Sequence, residues 1–329
     1  MPAPPTDSFH RKIDYLRLSI TDRCNLRCVY CMPEEGVRKF EHAEILSYEE
    51  VVRLARISIS MGMSKVRMTG GEPLVRKDAL QLCESISQVP GLTSLTLTTN
   101  GVLLSEFAEG LFRAGIRRVN VSLDTLKPER FLKISRKDLF DRVWAGIMAA
   151  ERVGFSPVKL NAVIMAGVND DEIEDLARLT FRFPFHVRFI EFMPFQQCES
   201  SSLFIPAREI LERLRRVGPL EESNVQEANG PALHYAFRGA VGKIGIISPV
   251  SDHFCPSCNR LRLTADGKLR TCLFSEEETD LRELLRRGAS DEQIRAAMLA
   301  AINTKPEKHH LGNPGFRKCT SRPMSSIGG

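Results

Sequence analysis

The 329-residue sequence predicts an α/β fold: parallel strands arranged as a barrel that is not fully closed, followed by a C-terminal extension of different character. Three observations carry this. Up to about residue 195 a short β-type run, a turn and a helical run recur six times, an order that gives parallel strands with right-handed crossovers. Within the β-type runs, apolar and polar residues alternate. Strands covered on both faces by helices read as continuous apolar runs, so the alternation favours a barrel with a polar lumen over a doubly wound sheet. After residue 195 the rhythm stops.

The first run, DYLRLSIT (14–21), sets Leu16, Leu18 and Ile20 against Arg17, Ser19 and Thr21. KVRMTGG (65–71) sets Val66 and Met68 against Arg67 and Thr69, and SLTLTTN (94–100) and RVNVSLD (118–124) follow. VKLNAVI (158–164) opposes Val158, Leu160 and Ala162 to Lys159 and Asn161, and HVRFIEFM (186–193) is the sixth run. Among the helices between them, one opens with a capping box, Ser47 with Glu50, and shows an apolar face at Val51, Leu54 and Ala55. A second carries Val143, Ile147 and Ala150 and stops at Gly154. A third carries Ile173, Leu176, Ala177 and Thr180, with Asn169 as its expected N-cap. Residues 206–216 read as a helix and 218–240 as a polar, irregular linker. The strand-like GKIGIIS comes next. The TADG turn then joins LRL to KLRTCLF as a hairpin, with two short helices and a basic, Gly-rich tail behind it. The expected divisions are a flexible N-terminus (1–10), the partial barrel (11–217), the linker (218–240) and a C-terminal region (241–329).

Composition narrows the function. Hydrophobic content of 43% and charged content of 26% describe an ordinary globular chain. A net charge of +5 is too mild to argue for nucleic acid but suits a small anionic substrate. The N-terminal residues lack the apolar run of a secretory signal, and no run approaches the ~20 residues of a membrane helix. A cytoplasmic protein is expected. Thiols stay reduced there, so nine cysteines are metal ligands or free thiols rather than disulfides.

Six of the nine cysteines form two tight groups. Cys24, Cys28 and Cys31 form C-x3-C-x2-C just after the first strand, where a barrel places its active-site loops. Thiolates select zinc or iron–sulfur clusters. A structural zinc would need a fourth ligand, such as His42; a [4Fe–4S] cluster on three thiolates would keep one iron open. Cys255, Cys258 and Cys272 form C-x2-C-x13-C, again three thiols. His253 could complete a zinc site there, but a second cluster with an open iron is the better reading. Arg260 and Arg262 follow at strand spacing, point the same way, and carry the planar forks that phosphates favour. With Arg17, Arg67 and Lys159 they suggest a converging cationic site for a substrate with several phosphates.

The cysteine loop C-x3-C-x-Y-C, with TGGEP at 69–73 after the second strand, resembles the radical S-adenosylmethionine (SAM) superfamily. DRCNLRCVYCMPE, KVRMTGGEPLVR, VNVSLDTL, RFIEFMP, PVSDHFCPSCNRLRLTADGKLRTCLF and the terminal Ile-Gly-Gly together resemble the MoaA-type GTP 3′,8-cyclase family over roughly residues 11–329. The resemblance implies an incomplete (β/α)6 TIM-like barrel whose C-terminal part closes the lower opening. It implies two [4Fe–4S] clusters, the first binding and cleaving SAM and the second docking guanine. Tyr30, Gly71, Ser122 and Met193 match SAM-contacting positions. Arg17, Arg67, Thr98, Lys159, Arg260 and Arg262 match GTP-contacting ones, with Leu261 contributing backbone at most. Arg17, Arg260, Arg262 and the tail Gly328-Gly329 match the positions closest to the chemistry. The implied reaction removes the ribose 3′ hydrogen of GTP and joins C3′ to guanine C8, giving 3′,8-cyclo-7,8-dihydro-GTP for molybdenum cofactor biosynthesis. Hand-off to a cyclic pyranopterin monophosphate synthase and a homodimer are implied too; the electron donor is unknown. Cys83, Cys198 and Cys319 match no ligand position, and His309-His310 read as solvated or substrate-adjacent.

Two other readings compete. A peptide-modifying radical SAM enzyme gives no reason for the lumen cations. A zinc-stapled RNA-binding protein calls for aromatic stacking platforms, yet aromatics are 7% of the chain.

Overall fold

The computed structural model describes residues 2–193, 201–223, 230–309 and 322–328. All six alternating runs form strands: β1 (Tyr15–Ser19), β2 (Lys65–Thr69), β3 (Ser94–Thr99), β4 (Arg118–Ser122), β5 (Val158–Ile164) and β6 (His186–Glu191). Between them run α1 (Tyr48–Ser60), α2 (Ala79–Ser87), α3 (Leu104–Arg113), α4 (Pro128–Ser135), α5 (Phe140–Val153) and α6 (Ile173–Arg182). Then come α7 (Ala207–Arg215), β7 (Leu220–Glu222), β8 (Leu233–Phe237), β9 (Lys243–Ile247), β10 (Arg260–Leu263), β11 (Lys268–Arg270) and β12 (Thr279–Asp280). Helices α8 (Leu281–Arg286), α9 (Asp291–Asn303) and α10 (Met324–Ile327) finish the order.

β1 to β6 lie side by side in chain order, all parallel. The C-terminal extension does more than cover one opening, because its strands extend both sides of this sheet. β10 pairs parallel with β1, and β9 pairs parallel with β6. β11 and β12 continue antiparallel beyond β10, as β8 and β7 do beyond β9. The outermost strands, β12 and β7, do not meet, so the barrel is incomplete.

The alternation decides which face goes where. Leu16, Leu18, Val66, Met68, Val119 and Val121 are all buried in one continuous core beneath the helices. Each such side chain contributes about 1.5–3 kcal/mol when fully buried. The other phase carries Arg17, Arg67 and Lys159 into the lumen. The capping box of α1 forms as expected: Ser47 Oγ accepts from Glu50 N at 3.2 Å, and the Glu50 carboxylate accepts from Ser47 N at 2.7 Å.

Three expectations are corrected. Asn169 does not cap α6. Its Oδ1 accepts from Met165 N at 2.8 Å and its Nδ2 donates to the Asp124 and Val163 carbonyls at 2.7 and 2.9 Å. A 3-10 turn, Asp170–Glu172, lies between Asn169 and α6, and Glu172 takes the N-cap position of that helix. The polar stretch 218–240 contains β7 and β8, an antiparallel pair on the sheet's edge, where half-exposed strands tolerate polar residues. The N-terminal residues expected to be flexible are tied at three points although most of 2–10 are exposed: Thr6 bridges to Lys12, Asp7 is buried, and Pro4 lies against Gly62.

Candidate active site

A cavity of about 450 Å³ fills the lumen, and both cysteine groups line it. Cys24, Cys28 and Cys31 sit on the loop after β1, at the C-terminal ends of the parallel strands. Gly70 and Gly71 make that placement possible. A Cβ on Gly71 would lie 2.5 Å from Arg23 O, and one on Gly70 would lie 2.6 Å from Thr21 O. The two loops therefore run backbone against backbone, with Gly71 N donating to Thr21 O and Glu72 N to Arg23 O, both at 2.8 Å. The next residue, Glu72, is fully buried. Its carboxylate accepts from Leu74 N at 3.1 Å, Thr99 Oγ1 at 2.8 Å and Asn100 N at 2.6 Å. Asn100 Nδ2 in turn lies 3.7 Å from Cys24 Sγ. Glu72 thus ties the ends of β2 and β3 to the cysteine loop.

Burial pushes the Cys24 thiol up to about 11 and Cys31 to about 12, and Cys28 is raised by burial and then by Asp124. Three half-buried thiols whose surroundings resist ionisation call for a metal charge to stabilise the thiolates. Among the described residues, no three His, Cys, Asp or Glu side chains are grouped so as to hold a single metal ion. Three thiols are the donor set that a cubane takes with one iron left open. His42 is exposed and does not line the cavity, so it does not supply a fourth ligand. The donor set fits a [4Fe–4S] cluster. Tyr30, Gly71, Ser122 and Met193 all line the same cavity. Tyr30 Oη donates to Asp124 Oδ2 at 2.6 Å, and burial raises the Asp124 carboxyl to about 6.

Across the lumen stand Cys255, Cys258 and Cys272. Burial raises Cys255. At Cys258 burial opposes ionisation too, but Arg260 and Lys305 outweigh it and bring the thiol down to about 6.

Strand register assembles the cations. Arg17 is paired with Arg262 on one side and Arg67 on the other, so three guanidinium residues stand abreast on the lumen face. The next rows are Thr98, Asn120 and Lys159, then Ser122, Asn161 and Arg188. Burial and then the neighbouring Arg262 and Arg67 hold Arg17 well below the ordinary arginine range; burial and Arg260 bring Arg262 down to about 9. Like charges packed this way create a site that an anion relieves. Thr98 Oγ1, Asn120 Oδ1 and Asn161 Oδ1 are buried without a hydrogen-bond partner among the described residues, the mark of groups reserved for a ligand.

The tail enters this site. Gly328 O accepts from Arg262 Nη1 at 2.9 Å and Arg17 Nη2 at 3.2 Å. The Ser325 amide donates to the Cys31 thiol. Arg322 anchors the segment, forking onto both Asp266 oxygens at 2.9 Å and reaching Glu278 at 2.8 Å. Gly329 lies outside the described residues, as do Cys198, His310 and Cys319. Leu261 is not brought into the site: alternation turns its side chain into the core. Cys83 is buried in α2. His309 does line the cavity, where its Nε2 donates to Pro249 O at 2.7 Å.

Sequence reasoning missed Glu72, Asp124, Glu191 and Arg188. Glu191 accepts from the amides of Ala207 at 2.7 Å and of Val250 and Ser251 at 2.9 Å, fastening the extension to β6. Arg188 had a usable signal, since it shares the lumen phase of its strand with apolar Val187 and Phe189 on the other face.

Glu72 gives a test. Burial raises its carboxyl from 4.5 to about 7, the three donors offsetting this in part. The folded chain therefore holds that proton more tightly than the unfolded chain. The group's contribution is most favourable below about pH 4.5 and is lost as pH rises to about 7. In Glu72→Gln, urea midpoints of the apoprotein between pH 5 and 7 are expected to lose that slope. The variant is also expected to lose about 1–3 kcal/mol at pH 5, because the new amide faces the Asn100 N–H. Identical slopes in both proteins would count against the buried carboxyl.

An incomplete parallel barrel with three thiols on its first loop and a ligand-lined lumen defines the radical SAM class. The Radical SAM superfamily model matches residues 18–180, and the Molybdenum Cofactor Synthesis C model matches residues 185–311. The crystal structure of Streptococcus suis SuiB bound to S-adenosylmethionine shares the fold, with a TM-score of 0.60 at 16% identity over 86% of this chain and 68% of that one. The GTP 3′,8-cyclase of Moorella thermoacetica is 49% identical over 98% of this chain and 99% of its own length. Those of Thermodesulfovibrio yellowstonii and Heliobacterium modesticaldum are each 48% identical with the same coverage. At that identity from end to end, the chain belongs to the GTP 3′,8-cyclase family, with the SAM and iron–sulfur cofactors that the radical SAM fold carries.

Proposed function

We propose that this chain cyclises GTP to 3′,8-cyclo-7,8-dihydro-GTP, the entry reaction of molybdenum cofactor biosynthesis. The observation that carries the reading is the row Arg262, Arg17 and Arg67 set in register between two three-thiol groups. When bound, SAM and the cluster on Cys24, Cys28 and Cys31 supply the 5′-deoxyadenosyl radical that takes the ribose 3′ hydrogen. The protein's part is placement. Tyr30, Gly71, Ser122 and Met193 hold SAM at the strand ends. Arg17, Arg67, Thr98, Lys159, Arg260 and Arg262 hold the nucleotide, the guanidinium forks serving its phosphates. Arg188 and Asn161 extend that row. Cys255, Cys258 and Cys272 would hold the second cluster, which would supply a binding site for the guanine end of the nucleotide. The lumen walls exclude water from the radical chemistry, and Gly328, held by Arg17 and Arg262, closes the wall beside the cation row.

Hand-off of product to a cyclic pyranopterin monophosphate synthase, a homodimer and a cytoplasmic site belong to the same proposal. Among the described residues, no helix is long and apolar enough to cross a membrane.

The test is anaerobic turnover with SAM, reductant and GTP deuterated at C3′. Deuterium is expected in the 5′-deoxyadenosine; unlabelled 5′-deoxyadenosine would move the site of attack or the substrate. Arg262→Ala is expected to weaken GTP use about 10- to 100-fold, the worth of one charge-assisted hydrogen bond, with iron content retained. Unchanged turnover at limiting GTP would remove Arg262 from the site.

A further inference from the structure

Two buried cations outside the lumen converge on the second cysteine group. Lys305 follows α9 and is 3% exposed. Its Nζ donates to Arg260 O at 3.1 Å and also to Thr271 O. The first carbonyl lies two residues after Cys258 and the second immediately before Cys272. Arg11, 7% exposed, comes from the other end of the chain. Its Nη1 donates to Cys255 O at 2.9 Å and Glu307 O at 2.8 Å, and its Nη2 donates to Pro306 O at 2.7 Å. Asp7 orients it, accepting from Arg11 Nε at 2.6 Å and from the Arg11 amide at 2.9 Å. All three cysteine segments are therefore fastened by these two side chains, and Arg11 grips the two residues that follow Lys305.

Neither side chain lines the cavity, so neither touches substrate. Their shared target is the frame that sets where three thiols point. Backbone carbonyls are the natural acceptors for such a frame, and a neutral donor would serve them. Arg11 has its counterion in Asp7, but the positive charge of Lys305 in so buried a place needs a further reason. Lys305 has one close by: the carbonyls it binds, Arg260 O and Thr271 O, flank Cys258 and Cys272, so its ammonium sits beside that thiol group.

We propose that Lys305, braced by Arg11, is a positioning residue for the second cluster: it locks the three ligand segments together and keeps a positive charge beside the cluster, favouring its more negative, reduced state. This rests on the reading that Cys255, Cys258 and Cys272 hold an iron–sulfur cluster.

The test uses the reconstituted full chain, with potentiometric electron paramagnetic resonance and the rate of iron release to a chelator as readouts. Lys305→Met is expected to shift the second cluster to a more negative potential and to speed its iron release about 10- to 100-fold, the usual effect of removing a support behind a metal ligand. The signal of the first cluster should keep its potential. Lys305→Arg, which keeps charge and donors, is expected to restore the potential. Arg11→Lys, which keeps charge but loses the fork, should speed iron release at unchanged potential. An unshifted potential in Lys305→Met, or an equal shift in Lys305→Arg, would overturn the proposal. If Lys305→Met does not fold, Arg11→Lys releasing iron at the wild-type rate overturns it equally. A wild-type chain retaining only about four irons would instead overturn the underlying two-cluster reading.

Discussion

Replacing Cys28 with serine is expected to reduce 5′-deoxyadenosine formation to the level of reductant and SAM without protein. Iron should fall from about eight to about four atoms per chain, since a cluster held by three thiolates does not survive on two. Cys28 is the most consequential of its group. It is half-buried with Cys31 at its side, and its backbone carbonyl accepts from the amides of Cys31 at 2.9 Å and Met32 at 3.1 Å, so it shapes the loop as well as lending a sulfur. A serine oxygen is a hard donor and a poor substitute at a soft iron site. The signal of the second cluster should persist, because its ligands come from the opposite wall. The measurement is iron analysis with 5′-deoxyadenosine quantified by mass spectrometry. Wild-type amounts of both would take Cys28 out of the ligand set.

Gly328→Ala is expected to produce the second large effect, with iron untouched. Gly328 has φ +69°, a conformation that costs a residue with a side chain roughly 1–2 kcal/mol. The added Cβ would also lie 2.8 Å from Thr69 Cγ2 and 3.0 Å from Ser19 Cβ. Both neighbours are buried at the ends of packed strands and do not yield, so the tail must move. Its carbonyl then leaves Arg17 and Arg262. A displacement of about 1 Å at a reacting site is enough to lower turnover about 100-fold. Cyclisation should fall by that order while 5′-deoxyadenosine still forms without product. Wild-type coupling of SAM cleavage to cyclised product in Gly328→Ala would show that the grip on Gly328 O is not used.

Much of this site could be read before any coordinates. Period-two alternation marked β1 to β6 and sorted their side chains between core and lumen, because each strand has one covered face and one polar face. The cysteine groups stood out because ligand spacing is local. What stayed hidden was held together by single polar residues bonded to backbone. Glu72, Glu191, Arg11 and Lys305 work through amides and carbonyls brought near only by the fold, and such partners leave no pattern along the chain. The strands β7 and β8 escaped for the converse reason: a half-exposed edge pair has no apolar run to betray it. The arginine row was foreseen as a set of residues, but only the register of β10 against β1 shows that Arg262, Arg17 and Arg67 stand abreast.

That register has a consequence during synthesis. β1 leaves the ribosome before β2, which soon covers one of its edges. Its other edge waits for β10, which at ordinary elongation rates follows on the order of tens of seconds later. Through that interval the nascent chain exposes a row of unpaired amides and carbonyls next to the open cysteine loop, the kind of edge that recruits stray strands. The lumen gains its last wall only after β10 has been made. Chaperone demand and the timing of iron delivery should both follow that delay, and slowing translation after β6 should lower the yield of soluble protein more than slowing it before β1.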